Sequence, residues 1–300
     1  MTAPRKRSSP RMTSGCNAAR ALGSVPCAAM ARVSAGRTNS DGFLLKLDST
    51  GNTLWANAIG SSADDDIVAV AVDGAGTIVV GGWTTGTLNL TGVALTSAGN
   101  RDVLVAKYSA AGTCLWAKLS GDADNQTPVS LAVDGSGNIA VAGSFLGSIG
   151  FAPLSPMING ANADIFLAKL DPSGNGLWSV PIGNPYTGAA GPSAASVAMD
   201  GGGNVLLTGM VSGGFDFGTF LPGTTTSTYD LFAAKYSTGG TLAWVKRTLG
   251  DGTDQGQAVA VKLNGSAVLA GTLSYSADMG CGPVSNPTYM SGALLSELAP

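Results

Sequence analysis

Val70-Ala71-Val72-Asp73-Gly74-Ala75-Gly76-Thr77-Ile78-Val79-Val80 is two apolar runs joined by a tight turn, and the chain writes it more than once. The second copy is Leu131-Ala132-Val133-Asp134-Gly135-Ser136-Gly137-Asn138-Ile139-Ala140-Val141. The third is Val197-Ala198-Met199-Asp200-Gly201-Gly202-Gly203-Asn204-Val205-Leu206-Leu207. Glycine supplies the positive φ angles of a tight turn, and an aspartate can bond its own backbone two residues on, so each copy predicts a β-hairpin. Nine residues after each aspartate stands a glycine: Gly82, Gly143 and Gly209. A fourth copy keeps Gly271 but has Lys262 where the aspartate would be.

Working outward, each hairpin is preceded by a tryptophan. Trp55, Trp116, Trp178 and Trp244 are separated by 61, 62 and 66 residues, and their neighbours recur with them, as in Thr53-Leu54-Trp55-Ala56 and Cys114-Leu115-Trp116-Ala117. Upstream of each tryptophan lies an aspartate and, five residues on, a lysine: Asp41/Lys46, Asp102/Lys107, Asp164/Lys169 and Asp230/Lys235. The residues between are apolar except Gly42. Side chains alternate faces along a strand, so such a strand needs cover on both faces. Each unit therefore supplies four strands, A to D, which in the first full copy lie near 67–72, 77–83, 103–108 and 114–119. An irregular insertion between B and C, such as 84–100, carries Leu88-Asn89-Leu90 as a short extra strand. Helical periodicity is absent.

Four short strands per unit in series predict an all-β chain, a β-propeller of about four four-stranded antiparallel blades. The expected repeats run over 41–101, 102–163, 164–229 and 230–300. The chain enters on a C strand at Phe43 and leaves on another, 294–298. Pairing the D strand around Trp55 with the C-terminal A–B–C set would close a fourth blade and leave residues 43–47 without one. The expected ring is thus incomplete, or a fragment of a longer array; the unrelated leader favours the fragment.

Composition agrees. Glycine is 44 of 300 residues and charged residues are 12%, as many short strands and turns require. Residues 1–40 carry seven basic residues (Arg5, Lys6, Arg7, Arg11, Arg20, Arg32, Arg37) and no acidic ones, and are expected to be a disordered leader. Residues 41–300 hold nine basic against nineteen acidic residues, which argues against nucleic acid as a partner. No run is long enough for a membrane-spanning helix, and the leader lacks the continuous apolar segment of a signal peptide.

No histidine is present, and Cys16, Cys27, Cys114 and Cys281 show neither a CxxC pair nor metal-ligand spacing. The usual Ser-His-Asp and Cys-His chemistry and the commonest zinc sites are excluded on that ground. An Asp-Gly-x-Gly turn offers one carboxylate, too few for calcium unless neighbours converge, so a structural turn is expected. The Asp/Lys pairs are read as strand-end solvation or a cross-strand pair. The acids without an evident repeat partner are Asp64, Asp65, Asp66, Asp122, Asp124, Asp216, Asp251, Asp254 and Asp278. No catalytic, cofactor-binding or metal-binding residue is assigned, and no cofactor.

Asp164-Ile165-Phe166-Leu167-Ala168-Lys169-Leu170-Asp171-Pro172-Ser173-Gly174-Asn175, the Leu177-Trp178 that follows, and the Val-Asp-Gly turns resemble the bacterial SBBP repeats of predicted cell-surface proteins, over about residues 41–300. That resemblance implies a propeller-like architecture and a surface or secreted setting, and brings no catalytic residues. A second resemblance is to the tryptophan-docking pattern of quinoprotein dehydrogenases and outer-membrane assembly propellers. Asp48…Gly51…Trp55 and Asp171…Gly174…Trp178 carry it, each one residue short, with Tyr108 and Tyr236 read as replacing the aspartate elsewhere. The expected function is a non-enzymatic surface or secreted scaffold whose loops bind an unknown protein or glycan. The alternatives are a propeller enzyme (a quinoprotein-like dehydrogenase or a glycan lyase or hydrolase) and a fragment without independent function.

Overall fold

The computed structural model describes residues 28–33, 40–159, 162–183, 192–221, 229–248, 252–262, 264–274, 276–278, 282, 284–285 and 292–298. Every regular element among them is a strand, and five sheets follow one another along the chain. The first holds β1 (Ala28–Val33), β2 (Asp41–Leu47) and β3 (Thr53–Ile59). The second is β4 (Asp65–Val72), β5 (Ile78–Thr84), β8 (Asp102–Tyr108) and β9 (Cys114–Ser120), with a separate hairpin, β6 (Thr87–Asn89) and β7 (Ala94–Thr96), inserted after β5. The third is β10 (Gln126–Val133), β11 (Ile139–Phe145), β14 (Asp164–Leu170) and β15 (Gly176–Ile182), with β12 (Ser148–Ile149) and β13 (Met157–Ile158) as its hairpin. The fourth is β16 (Ser193–Met199), β17 (Val205–Val211), β20 (Asp230–Tyr236) and β21 (Leu242–Arg247), with β18 (Phe215–Asp216) and β19 (Phe220–Leu221) inserted. The fifth is β22 (Gln255–Val261), β23 (Ala267–Leu273) and β26 (Gly292–Leu298), with β24 (Ser276–Ala277) and β25 (Val284–Ser285) inserted.

All pairings inside these sheets are antiparallel between strands consecutive in the unit, the pattern that short turns allow. The strands predicted near 67–72, 77–83, 103–108 and 114–119 are β4, β5, β8 and β9, and the extra strand at Leu88 is β6.

The recurring glycine of the second strand has a steric cause. The first strand of the second, third, fourth and fifth sheets bulges opposite it, between Ile67 and Ala69, Pro128 and Ser130, Ala194 and Ser196, and Gly256 and Ala258. A Cβ on Gly82, Gly143, Gly209 or Gly271 would stand 2.1, 2.2, 2.0 or 2.2 Å from the carbonyl oxygen of Asp66, Thr127, Ser193 or Gln255. No side chain fits there.

Packing runs between sheets. The first strand of each four-stranded sheet lies against the preceding sheet, and four core clusters fill the junctions. Between the second and third sheets, Val79, Val103 and Val105 meet Leu131, Ile139, Phe166 and Ala168. The third strand is thus covered on both faces in the second, third and fourth sheets, as its sequence requires.

Two expectations change. Among the described residues there are three four-stranded sheets flanked by two three-stranded ones, and no pairing closes a ring. The D strand around Trp55 pairs with β2, and β26 pairs with β23, so neither end supplies the other's missing strand. Residues 43–47 are not left over, because β1 pairs with β2 in the register β5 uses with β8: Val33 faces Asp41 as Thr84 faces Asp102. Sheet structure therefore begins upstream of the boundary drawn at residue 40; the rest of the leader, 1–27 and 34–39, lies outside the described residues.

Candidate interaction surface

The two ends of each sheet are built differently. At one end lie the A–B and C–D turns. Asp134 Oδ1 accepts hydrogen bonds from the amides of Ser136 and Asn138 at 2.9 Å each, while its Oδ2 accepts from Asn138 Nδ2 at 2.8 Å. Asp73 and Asp200 hold their turns in the same way, and so do Asp48 and Asp171 in the C–D turns. These carboxylates are occupied by their own backbone, which is what makes them turn residues. Bonds from the Thr50 hydroxyl and the Asn52 amide hold the Asp48 carboxyl down at about 2.

The tryptophans tie this end together. Trp55 Nε1 donates to the Ala110 carbonyl at 3.2 Å, Trp116 Nε1 to Pro172 at 3.1 Å and Trp178 Nε1 to Thr238 at 3.0 Å. In each case the acceptor lies in the C–D turn of the following sheet. Each ring lies against that turn's glycine: a Cβ on Gly112, Gly174 or Gly240 would come within 2.8, 2.8 or 2.7 Å of it. The docked turns open on Ser109, Asp171 and Ser237, whereas Tyr108 and Tyr236 are strand residues. The aspartate's counterpart is therefore serine, not tyrosine.

The lysines reinforce the joint. Lys46 Nζ donates to the Ala110 carbonyl at 2.7 Å, and Lys169 Nζ to the Gly203 carbonyl at 2.7 Å and to Thr238 Oγ1 at 3.0 Å. Lys107 and Lys169 are buried, as are Asp102 and Asp230. The expected strand-end solvation is thus corrected. The Asp and Lys of each pair sit at opposite ends of one strand: Lys46, Lys107 and Lys169 bridge to the next sheet while Lys235 pairs with Asp200 of its own, and at the far end Asp102 and Asp230 are buried and Asp41 and Asp164 half-buried. Burial lowers the Lys169 pKa, against the attraction of Asp134 and Asp200.

At that far end lie the inserted hairpins and the links from each sheet to the next. The two are bonded together: Thr85 N donates to Asp64 O, Leu146 N to Asn125 O and Asp216 N to Gly183 O. Ser148 N donates to Asp122 Oδ2 at 2.6 Å and Ser274 N to Asp254 Oδ1 at 2.9 Å. Each of the first three hairpins lifts one large apolar side chain into solvent: Val93 beside β7, Ile158 in β13 and Phe220 in β19. Arg101 lies 4.2 Å over the Trp83 ring at the root of the β6–β7 hairpin.

The acids read as unrepeated fall mostly in these links. Asp65 and Asp254 occupy one equivalent place, filled by Gln126 in the third sheet, so they are repeat residues after all. Sequence alignment by tryptophan missed this because the links differ in length. Asp216 and Asp278 bond the amides of Gly218 and Gly282 within the insertions, and Asp251 lies outside the described residues. Among the described residues no three His, Cys, Asp or Glu side chains converge as a metal site. Burial raises the carboxyl pKa of Asp65, Asp102 and Asp254, with the neighbouring charge of Asp41 adding at Asp65 and that of Asp122 at Asp102. Each keeps one buried oxygen without a hydrogen-bond partner. In the fifth sheet Lys262 bonds Glu297 at 2.5 Å, the Asp200–Lys235 pair of the fourth sheet with its charges exchanged.

No family model matches the chain. Over 204 residues it is 25% identical to an uncharacterized WD repeat-containing protein, L264, of Acanthamoeba polyphaga mimivirus, covering 58% of this chain and 14% of that one. Over 88 residues it is 34% identical to the regulatory protein FlaEY of Caulobacter vibrioides, covering 28% of this chain and 9% of that one. The chain thus spans a small fraction of the length of the curated relatives it matches. A crystal structure of a protein of unknown function from Bacteroides caccae superposes with a TM-score of 0.40 at 11% identity, covering 86% of this chain and 69% of that one. Among the described residues no helix is long and apolar enough to cross a membrane. The sheets and the first relative make this an all-β repeat chain of propeller-like units, similar in part to a WD repeat protein.

Proposed function

We propose that the chain is a non-enzymatic interaction scaffold whose inserted hairpins bind a protein partner. The observation that carries this is Val93, Ile158 and Phe220, one exposed large apolar side chain on each of the first three hairpins, which otherwise differ in sequence. Rigid sheets presenting variable loops are a common binding design, and exposed large apolar groups suit a protein surface. The repeated polar residues support the same reading, since their bonds go to turns and junctions. A surface or secreted setting rests on the resemblance to SBBP repeats, and protease accessibility on intact cells tests it.

The binding test is a peptide-display selection and a glycan array, each probed with the chain and with a Val93→Ser/Ile158→Ser/Phe220→Ser variant. Peptides retained by the chain and lost by the variant, at an unchanged melting temperature, are expected. Retention of glycans alone, or of peptides equally by both, overturns the proposal.

A further inference from the structure

The two ends of the array each expose one half of the junction that is closed four times inside it. The face of each sheet turned toward the next is marked by one position of its C strand: Leu44 is 0% exposed, Val105 3%, Leu167 0% and Ala233 2%. The fifth sheet has Leu295 at that position, 77% exposed. Around it on the same face lie Ala258, Val268, Ala270 and Ala293, all exposed or half-buried, where the second sheet's Ala69, Val79 and Val103 are buried. The opposite face is turned toward the preceding sheet. Leu104, Phe166 and Phe232 are buried there, whereas their counterpart Phe43 in the first sheet is half-buried and its cross-strand neighbour Ala58 exposed. Among the described residues no core cluster and no strand pairing joins the fifth sheet to the first.

We propose that the chain self-associates head to tail, the Leu295 face of one copy covering the Phe43 face of another. The occupant follows from the interior. At every closed junction, what covers a face of the Leu295 kind is a face of the Phe43 kind, and each copy carries one of each. The two faces differ, so the contact is heterologous and can extend from copy to copy. It uses the ends of the array and is independent of the hairpins.

Sedimentation equilibrium of the full chain over a dilution series tests it. The average mass is expected to rise above one chain with concentration. Leu295→Glu and Ala56→Glu place a charge on one face each, at exposed positions, so both are expected to keep the native circular dichroism and melting temperature. Each variant alone is expected to be a monomer. Mixed in equal amounts, they retain one good face of each kind and should give a dimer and nothing larger. A wild-type mass of one chain at all concentrations, association indifferent to both substitutions, or a mixture that stays monomeric overturns the proposal.

Discussion

Gly174→Ala and Gly51→Ala place the same methyl group at equivalent turn positions, and only one of them meets a tryptophan. Gly174 has φ +77° and Gly51 φ +88°, so each alanine takes on a left-handed backbone costing about 1–2 kcal/mol. Each also gains back roughly 0.4–1 kcal/mol from a less disordered unfolded chain. For Gly51, whose added Cβ meets nothing within 4 Å, the net cost is therefore about 1 kcal/mol. At Gly174 the methyl lies 2.8 Å from Trp116 Cη2 and 2.9 Å from Cζ3, and the ring cannot withdraw without straining its bond to the Pro172 carbonyl. Overpacking of this kind adds about 1–3 kcal/mol. Urea unfolding of both variants, compared at constant m value, measures the difference. If Gly174→Ala loses no more stability than Gly51→Ala, the tryptophan does not clasp the turn and the account of the junction is wrong.

Trp178→Phe should cost about 1 kcal/mol more than Trp244→Phe, because both rings pack on a junction core but, among the described residues, only Trp178 of the two bonds a docked turn, at the Thr238 carbonyl; the same urea titrations compare them. Lys169→Met should cost about 1–3 kcal/mol, because the Gly203 carbonyl loses its donor in a buried joint. Asp102→Asn should be neutral or stabilising at pH 7. Burial raises the Asp102 pKa above its unfolded value, so the carboxyl's contribution is full below the unfolded pKa and is lost as pH rises through the folded one, while the amide does not ionise; a melting temperature that falls for the variant relative to wild type between pH 4 and pH 7 would count against this. The Asp48 carboxyl, held at about 2 against a usual 3.8, works with the opposite sign: its contribution is present above the usual value and disappears as pH falls toward 2, so Asp48→Asn should flatten the acid limb of the stability profile.

Strand positions were legible because two periodicities coincided: the doubly apolar run before each tryptophan and the aspartate-glycine turn after it. β4, β5, β8 and β9 fall within two residues of their expected places. The glycines at Gly82 and Gly143 were visible as a pattern, but their cause, a bulged carbonyl across the strand pair, is a tertiary contact with no local signature. β1, the B strand of the first sheet, was missed because Ala28-Ala29-Met30-Ala31-Arg32-Val33 lacks both the turn and the glycine that mark its equivalents. The lysines looked like solvated strand ends since nothing in a sequence tells which carbonyl a long side chain reaches. The exposed hairpin residues had no signal of their own, because each insertion holds several large apolar residues, Leu88, Leu90, Val93 and Leu95 in the first, and which of them reach solvent depends on the hairpin register.

Each four-stranded sheet is assembled from strands that are neighbours in the chain, and among the described residues no strand pairs with one from a distant sheet. A propeller sealed by joining its first and last strands must be synthesised whole before it can close. Here a sheet can zip up as its own segment leaves the ribosome and then serve as the surface on which the next one settles. The same arrangement makes the gene forgiving. Duplicating or deleting one unit adds or removes a sheet together with its clasp, and leaves the strands on either side with every partner they had.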